Sequence, residues 1–389
     1  MSDKTVKSLS SYIFLTMAIS SFVVIEPSPY DLLMSLLLIS CIVLSYFSIS
    51  RKTAPPIIIG LLFLLTNLIS LFFVKQASLS VMYFFITVYL VGTFIFLIAL
   101  GQRMKFELFR IILGGYMLSA LLSTLLGIGA YFNLFEGSDS FLMFGRVKSM
   151  FKDPNVFGPF LVIPALYALA IAEGSGKLAW KRYLYFSAFL ILTIGIIISF
   201  SRAAWGNFAL AFILYMAAVK KGTGRNRLRT IRLILVIAIP SFLYFIQTPA
   251  VEELLSTRLS IKNYDSDRFG TQQKAFVSGL SNLLGMGPGQ SELLFQYSPH
   301  SLYARVFTEN GLGGLLVITT LFISAIVRAF QNFMVSAHTE SALHAIIVAS
   351  LIGLAFNSFF IDTLHWRHLW IVLALAWFPV RSRKMELGK

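Results

Sequence analysis

The chain is 389 residues long, 57% hydrophobic and 13% charged, with a mean hydropathy of +0.79. Soluble domains carry about 25% charged residues, so a water-soluble enzyme or binding module is excluded and lipid is the expected solvent. The formal net charge of +15 fits Lys and Arg gathered in cytoplasmic loops, and no nucleic-acid partner is expected. A single cysteine, Cys41, rules out an intramolecular disulfide.

Lys4 and Lys7 precede the first apolar stretch. No small-residue cleavage site stands out and more spans follow, so the N-terminus reads as an uncleaved first span. A helix crosses the hydrocarbon core with roughly 20 apolar residues. That rule predicts about twelve spans, at about 10–26, 31–50, 55–74, 80–100, 109–132, 155–173, 182–200, 203–219, 231–249, 302–328, 342–360 and 367–380. With the N-terminus in the cytoplasm, the inner segments hold most of the 32 Lys and Arg. The stretch Lys220–Arg232 and the C-terminal RSRK then fall inside.

Two long loops face outward in this topology, at about 133–153 and about 250–301. The second is too long to be only a connection and is not of low complexity. From Thr271 to Leu284 it sets Phe276, Leu280, Leu283 and Leu284 on one helical face. Such a helix lies on the membrane surface or on the bundle. Gly285, Gly287, Pro288 and Gly289 then force a turn. The expected fold is an all-α polytopic membrane protein, one membrane-embedded domain over 1–389. Its extracytoplasmic loop, 250–301, separates spans nine and ten.

The spans are nearly free of charge. Asn67, Asn207 and Asn357 are the notable polar residues at depth, and hydrogen bonds between helices account for them. An ion-coupled transporter needs carboxylates near the midplane, and none is apparent. The outer edge carries the chemistry instead. Arg202, in FSRAAWGN, joins two spans with almost no loop between them. It reads either as a snorkelling anchor or as a clamp whose guanidinium fork matches phosphate oxygens. Arg258, Arg268 and Arg305 lie further along, and Arg146, Lys148 and Lys152 close the first long loop. Each alone reads as a solvated charge. Together they place cations on the face that the charge rule depletes, and they call for an anionic ligand.

His300 follows Pro299 at the mouth of a long apolar helix. An imidazole that titrates near neutrality can take a hydroxyl proton; the bland alternative is an interfacial histidine. His365 and His368 sit in DTLHWRHLW with Asp362 and Arg367. Asp362 or Glu309 can orient an imidazole or bind sugar hydroxyls. No His-x-x-x-His pair supports zinc, so neither a metal nor a cofactor is expected. Asp153-Pro154-Asn155 opens span six. It reads as a helix cap or as a way to turn Asn155 toward a sugar.

His300-Ser301, followed after nine residues by Gly311 and after two more by Gly314, resembles the signature of the O-antigen ligase and polymerase superfamily. Asp153-Pro154-Asn155-Val156-Phe157-Gly158, Ser201-Arg202-Ala203-Ala204-Trp205 and Gly285-Met286-Gly287-Pro288-Gly289 agree with it in order. The resemblance covers about residues 140–380; the first five spans match in hydropathy alone. It implies an inverting, metal-independent glycosyltransferase of the GT-C kind in the bacterial inner membrane, with its termini in the cytoplasm and its active site periplasmic. The donor would be a glycan on undecaprenyl diphosphate. In a polymerase the acceptor is another lipid-linked repeat unit of O-antigen or exopolysaccharide. In a ligase it is the lipid A-core. The family's proposed base matches His300, and its diphosphate-holding arginines match Arg202 and Arg268, with Arg258 a competing match for the second. From the residues themselves, Arg305 is a further candidate for the diphosphate, and Asp153, Asn155, Glu309, Asp362, His365 and Arg367 are candidates for the glycan. The run Asp362 to His368 looks more like the polymerases. Besides membrane lipids, a chain-length regulator is a candidate partner.

The chemistry is consistent without the family. A diphosphate is already a good leaving group, so cations suffice to stabilise its developing charge. The acceptor hydroxyl needs a base. The missing carboxylate pair argues against a glycosidase-like mechanism. A transporter remains the reading from another class.

Overall fold

The computed structural model describes residues 3–175, 178–218, 232, 263–295 and 298–380. Helix dominates. In chain order the helices are α1 (Asp3–Ala18), α2 (Pro29–Val43), α3 (Ala54–Ser70), α4 (Ala77–Met104), α5 (Phe106–Tyr131), α6 (Pro154–Phe160), α7 (Val162–Gly174), α8 (Ala179–Ile198), α9 (Arg202–Ala217), α10 (Asn263–Ser281), α11 (Ser291–Leu294), α12 (Leu302–Val335), α13 (His338–Asn357) and α14 (Arg367–Leu375). One small antiparallel hairpin, Leu142–Met143 with Arg146–Val147, precedes α6.

Among the described residues seven helices are long and apolar enough to cross a membrane: Ala54–Phe73, Ala77–Met104, Phe106–Tyr131, Pro154–Gly174, Ala179–Ile198, Leu302–Val335 and Glu340–Asn357. The protein is therefore an all-α membrane protein. The span expected at 231–249, the basic loop before it and the C-terminal RSRK lie outside the described residues. Four other expected spans hold helices that fall short of a crossing length, and they depart from the expected bounds to different degrees. The first stops at Ala18, where the Ser21 amide turns to the Ser119 hydroxyl at 2.8 Å. The second is 15 residues long and the last only 9; α9, with 16, matches the expected bounds to within a few residues. The helix expected over 271–284 begins earlier, at Asn263, and ends at Ser281.

The chain divides into two compact units. The first holds residues 1–13, 31–112 and 263–389, and the second 14–30 and 113–262. In the first unit Trp370 is fully buried against Phe63 and Phe94. Asn332 donates to the Ala376 carbonyl at 2.8 Å, and Arg367 grips Asp31 through Nε and Nη2 at 2.6 and 2.5 Å. The second unit is knit by close approach at small residues. Gly158 packs on Ser199 and Ala204, and Gly195 on Leu161 and Thr124. Such contacts let helix backbones meet where lipid offers no hydrophobic drive.

The long helix α12 is interrupted. Gly311 has φ 69° and ψ −167°, so the helical ladder breaks there. The amide of Leu312 bonds instead to the Leu283 carbonyl at 2.9 Å. The freed carbonyls of Thr308 and Glu309 accept from the amides of Met286 and Gly287 at 3.0 and 2.9 Å. The Gly-rich turn thus repairs the break, as buried backbone requires. A side chain at Gly311 is strained by its φ, and its Cβ would collide with the Leu283 carbonyl. Gly311→Ala should destabilise the fold by about 2–5 kcal/mol, read as a lower thermal unfolding midpoint in detergent. Gly92→Ala, where nothing lies within 4 Å of an added Cβ, should leave that midpoint unchanged or raise it.

Candidate functional site

The stretch 285–309 of the first unit is organised by one buried charge. Arg305 lies in the first turns of α12 with 5% of its side chain exposed. Its Nη1 is 2.7 Å from Asp362 Oδ2 and 3.2 Å from Glu292 Oε1, and its Nε is 3.1 Å from Glu309 Oε1. The Tyr83 ring covers it, 5.0 Å from the guanidinium carbon. Glu309 follows at the next helical turn, the spacing at which opposite charges meet.

Glu309 in turn holds the Gly-rich turn. It accepts from the Gly289 amide at 2.8 Å, from the Ser291 amide at 3.4 Å and from the Ser291 hydroxyl. Gly285, Gly287 and Gly289 all have positive φ, of 85°, 101° and 74°, so the turn predicted for this stretch is present. Gln290 fastens it to the start of α4: its Oε1 accepts from the Lys75 amide at 3.0 Å, and its Nε2 donates to Ser80 Oγ at 2.8 Å.

His300 stands between this turn and α12. Its carbonyl accepts from Gln272 Nε2 of α10 at 3.1 Å, and its side chain is half-buried. Ser301 caps α12, accepting from the Ala304 amide. Arg268 lies on α10; Arg258 lies outside the described residues.

Comparison with models of known protein families gives no match. Comparison with curated proteins gives none either.

The geometry gives several of the expected site residues partners within the protein. Arg305 was expected at a diphosphate; its guanidinium is buried among three carboxylates instead. Glu309 and Asp362 were expected at sugar hydroxyls or beside an imidazole. Both face Arg305, because a guanidinium in so dry a site needs counter-charge. Arg367, also expected at the glycan, is taken by Asp31. His365 packs on the Tyr83 ring at 5.2 Å between centroids and lies 3.4 Å from the Thr87 hydroxyl. Burial pushes its imidazole down to about 4; nearby Arg305 adds to this and Asp362 opposes it.

In the second unit, Asp153 caps α6, accepting from the Asn155 amide at 2.7 Å. Asn155 Oδ1 accepts from Arg146 Nη2 at 2.9 Å, and Arg146 Nε donates to the Ser199 carbonyl at 3.0 Å. Arg146 is therefore a structural bolt between the DPN stretch and the end of α8. Asn155 has one polar atom engaged in it. Arg202 is the first residue of α9, its side chain exposed, with Ser201 as the cap before it.

Sequence reasoning missed Glu292, Gln290 and Tyr83. The Arg305–Glu309 spacing was a usable signal. Glu292 gave none, since its partner sits across a turn.

Replacing Arg305 with Gln strands Glu309 in a dry site. The variant should lose about 3–5 kcal/mol of stability, seen as a large drop in folded yield and in thermal midpoint with no substrate present. A residue that served only to hold substrate would leave both unchanged. His365 supplies a pH test. Its folded pKa lies below the unfolded value near 6.5, so between about 4 and 6.5 the unfolded chain binds the extra proton. Stability is thus complete above about 6.5 and falls as pH drops toward 4. His365→Gln should flatten that fall in a pH series of melting curves.

Proposed function

We propose that this chain is a polymerase of undecaprenyl-diphosphate-linked oligosaccharide repeat units, acting as an inverting glycosyltransferase at the outer face of the bacterial inner membrane. In this reading about twelve spans cross the bilayer with both termini in the cytoplasm, and the stretch 250–301 is extracytoplasmic. The observation that supports it most is the selection among polar groups around the Gly-rich turn. Glu309 and Asp362 are paired with Arg305. The His365 imidazole is depressed to about 4, too weak a base for a sugar hydroxyl near neutral pH. His300 stands at the opening of α12 with a half-buried ring, and in this reading its imidazole is the proton acceptor.

The step follows from that assignment. The acceptor hydroxyl gives its proton to the His300 imidazole while its oxygen attacks the anomeric carbon of the donor. The bond from that carbon to the diphosphate oxygen breaks, and the electron pair leaves with the diphosphate. Attack opposite the leaving group inverts the centre. The resemblance assigns the departing charge to guanidinium groups, Arg202 and Arg268, with Arg258 as an alternative to the latter. Arg305 has no part in this contact. The ligase reaction differs only in its acceptor.

Purified protein in lipid nanodiscs should convert lipid-linked repeat units alone into a ladder of longer glycans. A product only when lipid A-core is added would make the chain a ligase; none in either case, with transport of the lipid-linked unit across the bilayer of sealed vesicles holding the protein, would make it a transporter. His300→Ala should reduce laddering at least about 100-fold with the melting curve unchanged. Arg202→Lys should also reduce it, since Lys keeps the charge and loses the fork. Treatment with a chelator should leave the rate as it was.

A further inference from the structure

The four residues 298–301 lead into α12, and each end of this short strand is tied down. At its far end Ser301 Oγ is 3.4 Å from the Ser358 carbonyl, and the Leu302 amide donates to the same carbonyl at 2.9 Å. In the middle, the His300 carbonyl accepts from Gln272. Pro299 is buried and has no amide proton to offer. At the near end Ser298 donates its hydroxyl to Glu292 Oε1 at 3.2 Å. The same carboxylate oxygen lies 3.2 Å from Arg305 Nη1.

Glu292 differs from the other two acids around Arg305. Glu309 is 2% and Asp362 17% exposed, whereas Glu292 is 35% exposed and stands on a helix of only four residues. A carboxylate so placed has many rotamers open to it. The guanidinium selects one, and in that one it receives Ser298. Arg305 is itself fixed from within by Glu309 and Asp362. A rigid buried charge is thus carried outward, through Glu292 and the Ser298 hydroxyl, to the backbone two residues before His300.

We propose that Glu292 and Ser298 are positioning residues for His300; this rests on the reading of His300 as the base. They touch neither substrate nor proton. They hold the strand from which the imidazole projects, and a displacement of about 1 Å at a reacting group can cost on the order of 100-fold in rate.

The test uses the full chain in nanodiscs with Ser298→Ala, Ser298→Thr and Glu292→Gln. Threonine keeps the hydroxyl and suits the extended backbone before a proline. Ser298→Ala should lower kcat about tenfold with KM for the lipid-linked unit and the melting curve unchanged. Ser298→Thr should restore kcat, and Glu292→Gln should lower it several-fold. A second readout needs no substrate: the rate at which diethyl pyrocarbonate modifies His300, followed by mass spectrometry. That rate should change several-fold in Ser298→Ala and Glu292→Gln and return to the wild-type value in Ser298→Thr. Wild-type kcat and wild-type His300 reactivity in Ser298→Ala would overturn the proposal, as would equal losses in Ala and Thr. If the wild-type protein makes no glycan, the polymerase reading fails, and the modification rates alone still decide whether Glu292 and Ser298 hold His300.

Discussion

A guanidinium that has left water has to be neutralised where it sits, and that demand shapes the most informative part of this molecule. Arg305 meets carboxylates from three directions: Glu309 on its own helix, Asp362 from the segment before α14, and Glu292 from α11. Desolvating so many charges is costly, and the mutual attraction offsets the cost only while all partners stay in place. The cluster therefore behaves as a unit. Through Glu309 it fixes the Gly-rich turn, and through Asp362 it fixes the approach to α14. A binding role for this arginine, plausible from its place in the chain, gives way to a scaffolding one.

The turn and α12 complete each other through the main chain. A helix interrupted at Gly311 leaves carbonyls without partners, and a turn with three residues at positive φ leaves amides without partners. Each supplies what the other lacks. Thr308 adds a side-chain tie to the Ala275 carbonyl at 2.8 Å, and Gly279 lets α10 close onto Phe307. The exposed face of α10 carries Phe276, Val277 and Leu280 beside Gln273 and Lys274, while Ala275 and Gly279 are buried. A face with both apolar and polar side chains suits a helix at a membrane surface.

Much of this was legible in the chain. The long apolar runs named the main helices. The glycines at 285, 287 and 289 announced a turn because only residues tolerant of positive φ fit it. Asp153 stood where a helix cap belongs. What escaped was long-range. Asp31 and Arg367 pair across 336 positions, and no local pattern marks either as the other's partner. Asp362 looked like a sugar ligand because its exposure had to be guessed, and Arg305 looked like a phosphate clamp for the same reason. The apolar runs near the N-terminus were read as longer than their helices. A serine just past a helix end can tie the chain to a distant helix, as Ser21 does to Ser119, without lowering the hydropathy enough to be noticed.

The interruption at Gly311 also sets an order of events during synthesis. Residues 283–287 leave the ribosome well before residues 308–312, so the Leu283 carbonyl and the Met286 and Gly287 amides lack their partners at first. While they wait, water at the membrane surface has to serve them, and the segment cannot sink into hydrocarbon ahead of its partner. Only when the opening turns of α12 emerge can the two be sealed together and the water released. The stretch bearing His300 lies between them, so it cannot take its final shape before they meet.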